Sequence, residues 1–158
     1  MTALVDVNLL VYAMRREVEH HHEALTVLTE AFVGEEAVGV LDETLAAVVR
    51  IGTHPRIWST PLSAPQVLEF CDRVRSAPAA VRMRADDMCW SHFRHLSTSM
   101  DLRGNDVPDA WLASVAMVHQ ARLMTFDAGF RRFPGLEVQL LGSWGGGERA
   151  AYPVGDRG

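Results

Sequence analysis

Short apolar runs recur along this chain, each separated from the next by a longer stretch that reads as helix. Residues 3–6, 37–41, 81–83, 123–126 and 136–141 have the length and content of strands. Residues 8–16, 23–32, 43–51, 65–75, 86–100 and 108–120 read as helices, with a short turn or helix over 130–133. In 23–32 the apolar residues Ala24, Leu25, Leu28, Ala31 and Phe32 fall at helical spacing, and Gly34 stops the run. Gly52 and Pro55 end the next helix, 55–65 is a proline-rich loop, and Pro65 and Pro108 suit helix starts. Strands alternating with helices predict an α/β fold built on a mostly parallel sheet with helices on its faces. A chain of 158 residues suits one domain with a real core. After Leu141 the character changes: Gly142, Gly145, Gly146, Gly147, Pro153 and Gly155 predict a flexible tail over 142–158, which leaves 1–141 as the domain.

Composition removes several chemistries. All 15 basic residues are arginine, so a phosphate-binding loop of the Walker type, a Schiff base and a serine–lysine dyad are excluded. The net charge of −5 argues against a broad basic surface for nucleic acid, because phosphate neutralisation supplies most non-specific affinity. It leaves room for an acidic metal site that takes RNA locally, or for a basic partner. No apolar run approaches the ~20 residues that span a bilayer, and no basic leader with a cleavage site precedes residue 3. Cys71 and Cys89 read as buried, reduced thiols, with a disulfide or a nucleophile as the alternatives. These features predict a cytoplasmic protein that does not enter the membrane.

Three acids fall at or beside strand ends. Asp6 ends the first strand, Asp127 ends the strand 123–126, and Asp109 lies in the first turn of the helix after Pro108. In open parallel sheets ligands gather outside the carboxyl ends of the strands. Taken singly, each acid has an ordinary role, Asp6 as a helix cap and Asp109 as a partner of the helix dipole. Several acids converging on one sheet edge repel each other unless a cation joins them. A hard cation with oxygen ligands such as Mg²⁺ fits, with Mn²⁺ as an alternative. It lowers the pKa of bound water and polarises a phosphoryl oxygen, so phosphodiester hydrolysis by a metal-activated water is the natural reaction.

The residues around these acids resemble a known family. Leu4-Val5-Asp6-Val7-Asn8-Leu9-Leu10 resembles the opening motif of PIN-domain ribonucleases of the VapC toxin type. Gly104-Asn105-Asp106-Val107-Pro108-Asp109-Ala110-Trp111 resembles their third motif, and Thr125-Phe126-Asp127-Ala128-Gly129-Phe130 carries the T-x-D-x-x-F core of their fourth. The likeness runs over roughly residues 3–141. It implies a PIN-like three-layer sandwich and a Mg²⁺-dependent endoribonuclease acting as the toxin of a toxin–antitoxin pair. It also implies a transfer or ribosomal RNA substrate, a VapB-like antitoxin and a homodimer. By the same resemblance Asp6 and Asp109 are the main metal ligands, Asp127 completes the acidic cluster, and Asn8 and Thr125 hold ligands in place by hydrogen bonds.

One position departs from the family pattern. Ala47 stands where a Glu is expected, and Glu43 lies four residues earlier on the same helical face. Glu43 substitutes for the missing acid in one reading. In others Asp42 substitutes, or caps that helix so that neither acid is catalytic. Asp106, three residues before Asp109, reads as a helix cap or an added ligand. The gap at Ala47 also keeps open a silent PIN-fold module that only binds a partner. A haloacid-dehalogenase-like phosphatase needs a second Asp at position 8 and a lysine, and has neither. His20-His21-His22 reads as an exposed helix start, since consecutive helical residues cannot ligate one ion together. His92 and His95 share a face but lack further zinc ligands, and no G-x-S-x-G is present. Trp58, Trp90, Trp111 and Trp144 read as core or interface. Arg15, Arg16, Arg50, Arg131 and Arg132 are candidates for phosphate contacts, with surface solvation as the default for each.

Overall fold

The computed structural model describes residues 1–142; the stretch expected to form the tail therefore lies, from 143 onward, outside the described residues. The elements run β1 (Thr2–Val5), α1 (Val7–Met14), α2 (His21–Val33), β2 (Val38–Val40), α3 (Asp42–Gly52), α4 (Ala64–Arg75) and β3 (Ala80–Arg82). They continue with α5 (Asp87–Ser99), α6 (Asp106–Val118), β4 (Ala121–Thr125), one 3₁₀ turn (Ala128–Arg132) and β5 (Val138–Leu140). The five strands form one sheet in the order β3-β2-β1-β4-β5, and every pairing is parallel.

Alternation along the strands divides the core into two layers. Ala3 and Val5 of β1 and Met124 of β4 join the buried cluster that holds Val11, Leu28, Val48 and Val67, from α1 to α4. Leu4 and Leu123 point the other way, into the cluster with Cys89, Ala113, Val115 and Phe130. Successive strand side chains face opposite sides of the sheet, so apolar runs buried on both faces need helices on both. Burying one such leucine fully contributes about 1.5–3 kcal/mol. The result is the expected three-layer sandwich, with α5 and α6 packed together on one side and α1 to α4 on the other.

The strand order also fixes where a site can form. From β1 the chain moves outward through β2 to β3, then returns to place β4 on the opposite side of β1. The crevice between the carboxyl ends of β1 and β4 is therefore the topological switch point.

Most boundaries shift by a residue or two from the sequence reading, and three of them bear on the site or its approach. β4 ends at Thr125, so Asp127 lies beyond the strand and caps the 3₁₀ turn, its side chain accepting from the Gly129 N–H. α6 starts at Asp106, two residues before Pro108. The first-turn N–H groups have no acceptor within the helix, so a proline fits there as well as at the first position. Asp106 is thereby inside the helix and not its cap. The proline-rich loop behaves as expected up to Ser63, where a capping box with Gln66 opens α4 just ahead of Pro65.

Candidate active site

Parallel pairing sets Val5 beside Met124, so the next residues, Asp6 and Thr125, flank the switch point. Asp6 caps α1: its Oδ1 accepts from the Val7 N–H at 2.6 Å, and its Oδ2 accepts the Thr125 hydroxyl at 2.6 Å. The same Thr125 Oγ1 accepts from Asn8 Nδ2 at 3.2 Å and from the Asp127 N–H at 3.0 Å. Asn8 Oδ1 accepts from the Phe126 N–H at 3.2 Å. A hydroxyl has one donor and two acceptor sites, and Thr125 uses all three. Asp6, Asn8 and Thr125 are all buried. Fully satisfied buried networks of this kind are rigid, because loosening one member strands the others.

A pocket of about 330 Å³ opens over this network. Asp6, Asn8, Asp109 and Asp127 line it, together with Glu43, Ala47 and Arg50 from α3 and Trp111 from α6. Glu43, Ala47 and Arg50 recur at the spacing of one helical face, which turns all three toward the pocket. Asp109 is held from the side by Arg132, whose Nη2 donates to Asp109 Oδ2 at 2.9 Å and lies 3.4 Å from Asp106 Oδ1.

Burial is the main reason that the Asp6 carboxyl titrates high, at about 6. The Thr125 and Val7 hydrogen bonds pull it down, and the neighbouring charges of Asp109 and Asp127 push it up. Tyr12 is raised as well, by burial first and then by Asp6 and Asp127. The acids of this pocket thus feel one another.

Other sequence candidates lie elsewhere. Asp42 is the first residue of α3 and not its cap; it is exposed and pairs with Arg75 at 3.2 Å and Arg82 at 3.0 Å, which holds its carboxyl below the usual range. Arg15 is buried instead of solvated, bonded to Glu17 and to the Thr60 carbonyl, with its guanidinium 4.2 Å from the Trp58 ring centre. The histidine run is only partly exposed, since His20 stacks on Phe126 at 5.0 Å and His21 Nδ1 lies 2.8 Å from the Tyr12 carbonyl. Cys71 and Cys89 are buried and free, in separate core layers, and burial pushes both thiols up. Trp58 is core, donating to the Ile51 carbonyl at 2.7 Å. The pairing of Arg132 with Asp109 was not foreseen; spacing alone does not say that the 3₁₀ turn folds back on α6.

The family model of the PIN domain matches residues 3–136. This chain belongs to the PIN-domain family. It is similar to the ribonuclease VapC43 of Mycobacterium tuberculosis, with 36% identity over 129 residues, 82% of this chain and 88% of that protein. Ribonuclease VapC48 of the same organism is 28% identical over 140 residues, 88% of this chain and 97% of that one. Among solved structures, VapBC2 from Rickettsia felis bound to a promoter DNA fragment has a chain of the same fold. Its TM-score is 0.63 at 20% identity, over 90% of this chain and all (100%) of that one. VapBC-1 from nontypeable Haemophilus influenzae gives 0.61 at 16% identity, over 89% of this chain and 98% of that one.

In this PIN domain the donor set suits a hard divalent cation: four carboxylates and an amide line one pocket, with no thiolate or imidazole among them. The raised Asp6 carboxyl is consistent with that fit, because a cation beside it would offset both its desolvation and the repulsion from Asp109 and Asp127. Side chains nevertheless stand satisfied by the protein itself, Asp6 by Val7 and Thr125, Asp127 by Gly129, and Asp109 by Arg132. Among the described residues no three acids, histidines or cysteines are drawn together as a ready metal cluster.

Proposed function

We propose that this chain is a divalent-metal-dependent endoribonuclease, the toxin of a toxin–antitoxin pair. The observation that carries the reading is the pocket at the β1/β4 switch point, where Asp6, Asp109, Asp127 and Glu43 share one wall system over the Thr125 network. Similarity to proteins named ribonucleases gives the reaction class. Asp6 and Asp109 would hold Mg²⁺ or Mn²⁺, with Asp127 completing the set and Glu43 acting in place of the acid missing at Ala47. When bound there, such an ion would supply a water nucleophile near neutral pH and charge stabilisation for a phosphoryl oxygen. Thr125 and Asn8 keep Asp6 and Asp127 oriented, and Arg50 offers a cation to the RNA backbone from α3.

The similar solved structures are VapBC complexes, which supports a VapB-like antitoxin as partner; the working unit would be a homodimer. The substrate is a transfer or ribosomal RNA, bound locally, since the chain carries a net charge of −5. The protein acts in the cytoplasm; among the described residues no helix is long and apolar enough to cross a membrane.

The test compares wild type with Asp6→Asn/Asp109→Asn for Mg²⁺-dependent cleavage of total RNA and for growth arrest in a bacterial host. Loss of both in the double variant supports the reading, and unchanged cleavage ends it. A second reading, a silent module that only binds its partner, is favoured by Ala47 in the pocket wall. It predicts that wild type binds Mn²⁺ no better than the double variant.

A further inference from the structure

Two arginines stand at the acid pocket in different electrostatic situations. Arg50 lines the pocket from α3, exposed, and its guanidinium has no hydrogen bond or ion pair among the described residues. Arg132 is committed. Its Nη2 reaches Asp109 Oδ2 at 2.9 Å and Asp106 Oδ1 at 3.4 Å, its Nη1 donates to the Gly129 carbonyl, and its Cζ sits 4.5 Å from the Phe133 ring centre. Gly129 permits this close approach. A Cβ there would lie 2.8 Å from Asp127 Oδ1 and 2.9 Å from Arg132 Nη1. The guanidinium is thus seated in a built position between two acids, a carbonyl and a ring.

We propose that Arg132 is the counter-cation of the acid pocket, and the group that a divalent ion must displace from Asp109. This rests on the metal-dependent reading above. An ion bound by Asp6 and Asp109 competes with the guanidinium for the Asp109 carboxylate, since both are cations drawn to the same oxygens. When the ion takes Asp109, Arg132 retains Asp106, the Gly129 carbonyl and the Phe133 face, so it is loosened without being expelled. Its freed N–H groups would then offer a planar donor pair suited to a phosphoryl oxygen. Metal weakens the hold of Asp109 on Arg132, and an RNA phosphate that takes the freed guanidinium strengthens metal binding. The two ligands therefore bind with positive coupling, reciprocal by linkage.

The experiment measures Mn²⁺ binding, by the electron paramagnetic resonance signal of free ion, to wild type, Arg132→Gln, Arg132→Lys and Arg50→Gln. The same proteins are assayed for RNA cleavage at saturating Mn²⁺. Arg132→Gln should bind Mn²⁺ about tenfold tighter, within the ordinary range for coupled ligands, while its kcat falls. Arg132→Lys should stay within about threefold of wild type in affinity, and Arg50→Gln should tighten it by less than about threefold. A merely structural role for Arg132 predicts that affinity and kcat fall together. Affinity unchanged or weakened in folded Arg132→Gln overturns the proposal, as does equal tightening in Arg50→Gln, which would mark a general charge effect. Should Arg132→Gln fail to fold, the wild-type chain decides: its Arg132 Nε–H resonance, assigned from the Arg132→Lys spectrum, must shift as Mg²⁺ saturates the site. A resonance that does not move overturns the proposal. Wild type that cleaves RNA with metal while Arg132→Gln gains no affinity removes this inference and leaves the ribonuclease reading intact. Tighter Mn²⁺ binding without any RNA cleavage does the reverse.

Discussion

The two halves of the acid pocket are built differently. On the β1/β4 side, Asp6, Asn8 and Thr125 are buried and joined by hydrogen bonds of 2.6–3.2 Å, with the Thr125 hydroxyl at the centre. On the helical side, Glu43 and Asp109 come from the first turns of α3 and α6, and Arg132 ties Asp109 by ion pairs to Asp106, which lies outside the pocket lining. Hydrogen bonds to a buried hub fix direction as well as distance, so the strand side behaves as scaffold. Half-exposed ion pairs are worth less and are screened by water, so the helical side can adjust when a ligand arrives. The comparison teaches that one half sets the geometry of this pocket and the other half is free to respond.

Substitutions on the two sides should therefore fail in different ways. The largest effect is expected at Asp6: Asp6→Asn should lower RNA cleavage by at least about a hundredfold, the scale seen when ligand environments are disturbed. The same change should stabilise the metal-free protein. Its carboxyl is raised from 3.8 to about 6 in the fold, so ionisation opposes folding, beginning as pH rises past 3.8 and complete above about 6. The gain in the variant is then up to about 3 kcal/mol at pH 8 and near zero at pH 3. Chemical denaturation at both pH values measures this, and added Mg²⁺ should cancel the gain by stabilising only wild type. A gain equal at both pH values would show that desolvation of the charge is not its source.

Thr125→Val comes next. It strands the Asn8 amide and the Asp127 N–H and should cost about 1–3 kcal/mol, with Thr125→Ser recovering most of it. If Thr125→Val were as stable as wild type, the strand side would not be the scaffold described here. On the helical side, Ala47→Glu should tighten Mn²⁺ binding severalfold, of the order expected for one added carboxylate, while changing the melting temperature little. A large loss of stability there would mean that this wall is as rigid as the strand side. The smallest effect belongs to Asp42→Asn. It removes two exposed ion pairs with Arg75 and Arg82 and should change stability by less than about 1 kcal/mol and leave cleavage unchanged.

Much of the architecture could be read from the chain. The alternation of short apolar runs and helical stretches gave the parallel sheet and its two helical layers, because a strand buried on both faces carries few polar positions. Asp6 was legible because an acid at the end of a buried run stands out against its apolar neighbours, and Asp109 because it opens the helix after Pro108 within a motif that resembles the family's third. Asp127 was placed on the strand and instead caps the turn after it, since Phe126 prolongs the apolar run by one residue without prolonging the pairing. The place of Asp106 three residues before Asp109 predicts a helix cap or an added ligand; the helix begins on it, which rules out the cap. Arg15 looked like a surface cation and is buried over Trp58, a contact between residues far apart in sequence that no local pattern announces.

The sequence by itself determined the alternation of strands and helices and put acids at or beside strand ends, because these follow from periodicity; the strand order, and with it the switch point, came from the fold. Tertiary structure decided which donors those acids meet. Thr125 reaches Asp6 across 119 residues, and Arg132 reaches Asp109 across 23. Such pairings depend on strand register and on how a short turn folds back against a helix. Those are set by packing in three dimensions, to which the spacing of residues along the chain is blind.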